Sequence, residues 1–256
     1  MILFPNAKIN IGLFVTEKRA DGFHNLETIF YPVTNLADIL EIKLAEGPNG
    51  TVNFKNSGLV IDCPEDKNLV IKAYRLLEKE FTLPAINVHL HKIIPFGAGL
   101  GGGSADAAFM LVGLNSMFNL GLSEDSLEQY AAQLGSDCAF FIKNKPAFAH
   151  GRGELLEPID INLDDYQILV EKPEVAVSTK EAYAGITPTP APFNLREINS
   201  LPIEEWRHYI VNDFEKHILE AHPEIAEYKE LMYKKGAVYA CMSGSGSAVF
   251  GLFKRG

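Results

Sequence analysis

Residues 95–108 read PFGAGLGGGSADAA, five glycines in fourteen positions running directly into an alanine-rich stretch. Glycine in a regular element costs roughly 0.5–1 kcal/mol against alanine, so such a run is kept for what a main chain can do without side chains. Two uses are open: an ordinary loop, or a place where the backbone closes on a ligand. Before the run, INVHLHKII alternates as a strand does; after it, SADAAFMLVGLNSMFNLG is apolar nearly all round, as a buried helix is.

Gly97, Gly99 and Gly102 satisfy G-x-G-x-x-G between that strand and that helix. A dinucleotide fold also needs an acidic residue at the end of a second strand about 20 residues on. The acids at that distance, Glu124 and Asp125, open a helix instead. A Walker loop would need lysine before Ser104, where Gly103 stands. What remains is a flexible loop emptying into a helix N-terminus, whose unpaired N–H groups and macrodipole attract an anion. Ser104 adds a hydroxyl there. The plainer reading, a loop with Ser104 as N-cap, stays open on these residues alone.

The charge balance limits what that anion belongs to. With 33 acidic and 23 basic residues the formal net charge is -10, and the basic residues are scattered. Duplex nucleic acid, bound by neutralising many phosphates, is therefore not an expected partner. One small anion is compatible, because local amides outweigh a distant charge screened over roughly 10 Å. Cys63, Cys138 and Cys241 show no CxxC or Cys/His spacing and read as reduced thiols. No segment approaches the roughly 18 uninterrupted apolar residues of a membrane span. A soluble, cytoplasmic protein without a membrane partner is expected.

Along the chain, INIGLFVT and LADILEIKL read as strands about the polar loop EKRADGFHN. Leu69, Ala73, Leu76, Leu77 and Phe81 mark one face of a helix. Gly121 is expected to close the buried helix that follows the glycine run, and Ser123 to cap another reaching about residue 134. A strand is expected near 167–170, helices over 202–235, and two apolar runs around SGSG at the end. Strands followed by helices, without strict βαβ alternation, predict an α+β protein of two lobes. The expected division is 1–157 and 158–256.

PFGAGLGGGSADAA closely resembles the phosphate-binding motif of the GHMP kinases. PNAKINIGLFVTEKRADGFHNLETIF and MSGSGSAVFGLF are similar to the first and third motifs of one branch of that superfamily, and NLV (68–70), GSDCAFF (135–141), GRGE (151–154) and NDFE (212–215) resemble the same branch. The matches extend from Pro5 to Phe253. Phe23 stands where the branch commonly has Tyr, and Cys138-Ala139 where it commonly has Val-Pro.

The resemblance implies a two-lobed GHMP kinase fold with the active site in the cleft between lobes. It implies ATP as phosphoryl donor and the 2-hydroxyl of 4-diphosphocytidyl-2-C-methyl-D-erythritol as acceptor, in the non-mevalonate route to isoprenoid precursors. Asp137 would be the general base, and Lys8 would stand beside it to favour its charged form and polarise the hydroxyl. Pro95, Phe96, Gly97, Ala98, Gly99, Leu100, Gly101, Gly102, Gly103, Ser104 and Ala105 would hold the phosphates, with Asn68 and Lys92 on the adenosine side. Asn10 would contact the acceptor, Phe23 and Tyr183 would sandwich its cytosine, and His24 would read the base edge. Mg²⁺ is expected with ATP, without an assigned protein ligand. The plainer roles are an edge-strand lysine for Lys8, a turn aspartate for Asp137, and packing for Phe23 and Tyr183. A kinase for another alcohol, such as homoserine or mevalonate, and a non-catalytic nucleotide-binding module are the competing functions. The RADGFH loop disfavours the first, and the pairing of Lys8 with Asp137 the second.

Overall fold

The computed structural model describes residues 1–60 and 63–256. In chain order it runs β1 (Ile2–Leu3), β2 (Asn6–Lys18), β3 (His24–Ala37), β4 (Ile39–Leu44), β5 (Val52–Gly58), α1 (Leu69–Glu78), β6 (Ile86–Lys92), α2 (Gly102–Phe118), α3 (Glu124–Leu134) and α4 (Phe140–Lys143). Then come β7 (Ala147–His150), β8 (Leu155–Pro158), β9 (Tyr166–Glu171), α5 (Thr179–Ala184), α6 (Trp206–Tyr209), α7 (Glu215–Ala221), α8 (Pro223–Lys234), β10 (Tyr239–Met242) and β11 (Val249–Lys254). Helices and sheets are mixed, as expected.

Two compact units emerge, each assembled from separated pieces of sequence. The first is Met1–Ala7, Val33–Phe96 and Gly101–Lys145; the second is Lys8–Pro32, Gly97–Leu100 and Pro146–Gly256. The boundary expected at 157/158 falls inside β8, within the second unit. A single cut could not anticipate units whose pieces interleave along the chain.

In the first unit a four-stranded sheet has the order β1-β4-β6-β5, with β5 parallel to β6 and the other pairs antiparallel. The two-residue period of β6 buries Ile86, Val88 and Leu90, and by the same parity it buries Lys92. α2 lies against β4, α1, α3 and α4. Its apolar circumference is buried through Ala105, Ala107, Ala108, Met110, Leu111 and Leu114. Asn68 caps α1 by accepting from the Val70 amide at 2.9 Å, and Ser123 caps α3 as expected. α1 buries Val70, Ile71, Ala73, Tyr74, Leu76 and Leu77, while the expected Leu69 and Phe81 are half-buried. The closure of α2 departs from expectation. Asn119, at φ 49°, is the left-handed C-cap, two residues before Gly121, because asparagine tolerates that conformation better than other non-glycine residues.

The second unit holds the three-stranded antiparallel sheet β10-β11-β9, with α8 against β10 and β11. Leu13, Val15, Phe214, Ile218, Met232, Met242 and Val249 share one core. A further four-stranded sheet has the order β2-β3-β7-β8. β2 does not alternate: the first ten of its residues are all buried. A strand covered on both faces has no solvent side, so its polar residues must find partners within the protein.

Gly113 in α2 tests the first unit's packing. A Cβ there would lie 2.7 Å from Leu3 Cδ1 and 3.0 Å from Ile42 Cδ1. Although valine has the better helix propensity, Gly113→Val is expected to destabilise by about 1–3 kcal/mol through overpacking. The urea midpoint measures it.

Candidate active site

The glycine loop leaves β6 with Gly97, Gly99 and Gly101 at φ 59°, 74° and 71°. Between them Ala98 and Leu100 turn inward and are buried. In the second unit the carbonyls of residues 98, 99 and 100 are each occupied: Ala98 O accepts from Ala248 N (3.3 Å), Gly99 O from Ser243 Oγ (2.9 Å) and Leu100 O from Lys8 N (2.9 Å). Gly99 passes so close to the main chain of the turn at 242–244 that a Cβ would lie 1.9 Å from Ser243 O. Only glycine fits that approach.

The amides tell the complementary story. Among the described residues, no protein acceptor takes the N–H groups of residues 97–104. Gly101, in the first unit, is the N-cap of α2 and supplies no capping side chain. Carbonyls committed to the protein with amides left over make a main-chain surface for an anion. Ser104 lies in the first turn of α2 and is half-buried.

Lys8 and Asn10 share one face of β2, and both are 3% exposed. Lys8 Nζ donates to Asn10 Oδ1 at 2.5 Å and lies 4.6 Å from the Phe30 ring centroid. Asn10 Nδ2 donates to Thr28 Oγ1 (3.1 Å), whose hydroxyl donates to Gly12 O (2.5 Å), while the Asn10 amide donates to Ser243 Oγ (3.2 Å). The plainer role of an edge-strand lysine does not fit a side chain buried to this degree. Thr28 and Ser243 were not among the expected residues. Thr28 carries no local signal, since threonine is an ordinary strand former; Ser243 lies in the MSGSGS motif.

The turn bearing Ser243 is itself secured by NDFE. Asn212 Nδ2 donates to the carbonyls of Met242 and Gly244, both at 2.8 Å, and Asn212 Oδ1 accepts from Phe214 N at 3.0 Å. Glu215 accepts from Met242 N (2.8 Å) and from Lys229 Nζ (2.6 Å). Asp213 takes the Val15 amide at 2.7 Å, and burial pushes its carboxyl above the ordinary range.

In the first unit Asp137 is half-buried in the turn between α3 and α4, followed by buried Cys138, Ala139, Phe140 and Phe141. Burial pushes the Cys138 thiol up to about 11, with a hydrogen bond from Ser104 opposing the shift.

Two of the expected adenosine-side residues have other occupations. Asn68 Oδ1 is the cap of α1. Lys92, 1% exposed, pairs with Asp38 and with Asp106 Oδ2 at 2.7 Å, so its charge is met inside the protein instead of facing a base. Strand parity is the physical reason.

The aromatic residues also differ from the expected sandwich. His24 stacks on Tyr183 with centroids 5.0 Å apart and 23° between planes, and Tyr183 meets Phe214 edge-on. His24 is thus a stacking partner of Tyr183, where an edge reader was expected. Phe23 is 55% exposed, with the Arg152 guanidinium 5.2 Å from its centroid.

Comparison with known proteins agrees with the motif order. The chain matches the GHMP kinases N terminal domain over residues 68–151 and the GHMP kinases C terminal domain over residues 195–256. A 4-diphosphocytidyl-2-C-methyl-D-erythritol kinase of Bacteroides fragilis is 55% identical over 253 residues, covering 99% of this chain and 92% of that protein. A crystal structure of 4-(cytidine 5'-diphospho)-2C-methyl-D-erythritol kinase superposes with a TM-score of 0.83 at 32% identity, covering 98% of this chain and 90% of the other. A mevalonate kinase crystal structure, at 14% identity, shares the fold with a TM-score of 0.71, covering 99% of this chain and 91% of the other.

Gly97 and Gly99 make an internal comparison. Both have positive φ, but a Cβ at Gly97 meets nothing within 4 Å. Gly97→Ala is expected to cost only the left-handed strain of about 1 kcal/mol, whereas Gly99→Ala adds a backbone clash and is expected to cost about 2–4 kcal/mol. Urea unfolding of the two variants measures the difference.

Proposed function

The chain belongs to the 4-diphosphocytidyl-2-C-methyl-D-erythritol kinase family of the GHMP kinases, and we propose that it transfers the γ-phosphoryl group of ATP to the 2-hydroxyl of that cytidyl substrate. This is the kinase step of the non-mevalonate route to isoprenoid precursors. The observation that carries the reading is the glycine loop, whose carbonyls are held by the protein while its amides are left for phosphate oxygens.

Phosphoryl transfer needs the moving charge stabilised, the alcohol placed in line and its proton accepted. The amides of residues 97–104 and the N-terminus of α2 meet the first need. Asp137 is proposed as the base. Lys8 is proposed to polarise the attacking hydroxyl; Asn10, which accepts a hydrogen bond from Lys8 Nζ, fixes where that ammonium points and is proposed to contact the acceptor. Mg²⁺ would arrive with ATP as part of the substrate, held by phosphate oxygens and without an assigned protein ligand, and the Ser104 hydroxyl is proposed to contact those phosphates.

Phe23, His24 and Tyr183 are proposed to bind the cytosine end. Given the contact of His24 with Tyr183, stacking on this aromatic column supports binding better than a sandwich between Phe23 and Tyr183. Among the described residues, no helix is long and apolar enough to cross a membrane, which is compatible with the proposed cytoplasmic setting.

A coupled ADP-release assay with the cytidyl substrate beside homoserine and mevalonate tests the assignment. Turnover is expected with the cytidyl substrate alone; equal kcat/KM for all three would reduce the assignment to a kinase of unassigned alcohol. Asp137→Asn and Lys8→Met are each expected to lower kcat by about 10²–10⁴-fold in folded protein. Their double variant is expected to be little worse than the poorer single one, since both act on one proton.

A further inference from the structure

Beneath the start of α2 lies a buried cluster that the phosphoryl-transfer scheme does not use. Lys92 Nζ, at the end of β6, pairs with Asp38 from the β3–β4 junction and donates to Asp106 Oδ2 on α2 at 2.7 Å. Asp38 Oδ1 also takes the amides of Ile93 (2.5 Å) and Ile94 (2.9 Å). The three side chains are 0–3% exposed. Asp106 Oδ1 is buried with no partner among the described residues.

The cluster touches both flanks of the glycine loop. Asp38 holds the two residues that leave β6, and a Cβ at Gly102, the first residue of α2, would lie 3.3 Å from Lys92 Nζ and 2.8 Å from Ile94 Cγ2. The ammonium therefore sits directly behind the helix start whose amides are proposed to meet phosphate. One lysine faces two carboxyls. If both are charged, the cluster carries a net negative charge behind an anion site; a proton on Asp106 makes it neutral.

We propose that Asp106 is a positioning residue whose proton sets the affinity of the α2 N-terminus for the phosphates of ATP, with Lys92 and Asp38 as the frame that presents it. This rests on the kinase reading given above. Burial, followed by the Asp38 charge and opposed by Lys92, raises the Asp106 carboxyl to about 7. The charges acting on it are those of Lys92 and Asp38. On the elements packed against α2, Glu41 and Lys43 of β4 pair with each other at 2.7 Å, and Lys143 of α4 pairs with Glu128 of α3 at 2.9 Å. On α1, Arg75 pairs with Glu78, Lys72 is exposed, and the Tyr74 hydroxyl donates to Pro84 O at 3.0 Å. In the α3–α4 turn, the Cys138 thiol is raised to about 11, and Asp137 is the proposed base. On α3, Glu124 and Asp125 lie in the first turn, at the end of that helix away from the α3–α4 turn.

The sign follows. Below about 7 the cluster is neutral and phosphate binds well. Above it, wild-type affinity falls as the negative charge appears. Asp106→Asn keeps an acceptor for Lys92 Nζ but never becomes charged, so it holds the low-pH affinity throughout. The test is the dissociation constant of ATP by calorimetry from pH 6 to 8.5 for wild type and Asp106→Asn. Titration of the γ-phosphate itself is common to both proteins and cancels in their ratio.

The ratio of wild-type to variant Kd is expected to rise roughly tenfold across that range, a like charge at short range in a partly buried site being worth about that factor. KM for ATP should follow it, with KM for the cytidyl substrate unchanged. A ratio that stays flat with pH overturns the proposal. Absence of ATP binding by wild type would instead sink the kinase reading. Asp106→Ser, also uncharged and able to accept from Lys92, carries the same comparison if Asp106→Asn does not fold.

Discussion

A carbonyl oxygen and a methyl group cannot occupy the same space, and the approach of Gly99 to Ser243 O is the constraint from which the shape of the phosphate loop follows. Because residue 99 has no Cβ, the loop can lie against the turn at 243. Its carbonyls at 98, 99 and 100 then find donors in Ala248, Ser243 and Lys8. Because the C=O and N–H of a planar trans peptide point in opposite directions, carbonyls of residues 98, 99 and 100 turned into the protein leave the amides of residues 99, 100 and 101 facing away from it. The proposed anion site is thus a by-product of how the loop satisfies its acceptors, and it needs no charged side chain. On the proposed reading, this is how a chain of net charge -10 would hold a polyphosphate.

The same contact extends into β2. The amide of Lys8 serves Leu100 O while its ammonium serves Asn10, and Ser243 Oγ accepts from the Asn10 amide while donating to Gly99 O. A short run of residues therefore carries main-chain support for the loop and a side-chain polar cluster at once. Burying a lysine in a strand covered on both faces would be costly without partners. Asn10, the Phe30 ring and the hydroxyl relay from Thr28 to Gly12 O reduce that cost. Rigid placement is what a group proposed to polarise one hydroxyl requires.

How much of this the sequence discloses depends on the range over which each feature is decided. The glycine loop, the buried α2 and the Ser123 cap are local and legible. So is the shared strand face of Lys8 and Asn10, which needs only a two-residue period. Lys92 shows where local reading stops. It ends an apolar strand, and the resemblance assigned it to ATP, but its parity with Ile86, Val88 and Leu90 already placed it on the covered face. What it could not disclose was the identity of the partners, since Asp38 and Asp106 come from other elements. His24 and Tyr183 fail to read for the same reason: no local pattern says that one ring lies on the other. The two units are beyond sequence reading too, because their pieces interleave.

The NDFE segment shows how a motif without chemistry of its own comes to be part of a catalytic pattern. A turn at 242–244 that presents Ser243 to Gly99 leaves the carbonyls on either side of Ser243 with no strand partner, and buried carbonyls left unpaired are costly. The Asn212 carboxamide supplies two donors at 2.8 Å, aimed at the oxygens of Met242 and Gly244. An aspartate in its place would offer none. Glu215 needs the opposite property, accepting from the Met242 amide while its other oxygen takes Lys229. Asn212 and Glu215 thus hold the turn, the turn holds Gly99, and Gly99 fixes where the amides point. Residues far from the glycine loop in sequence act on it through the hydrogen-bonding needs of the turn against which it lies.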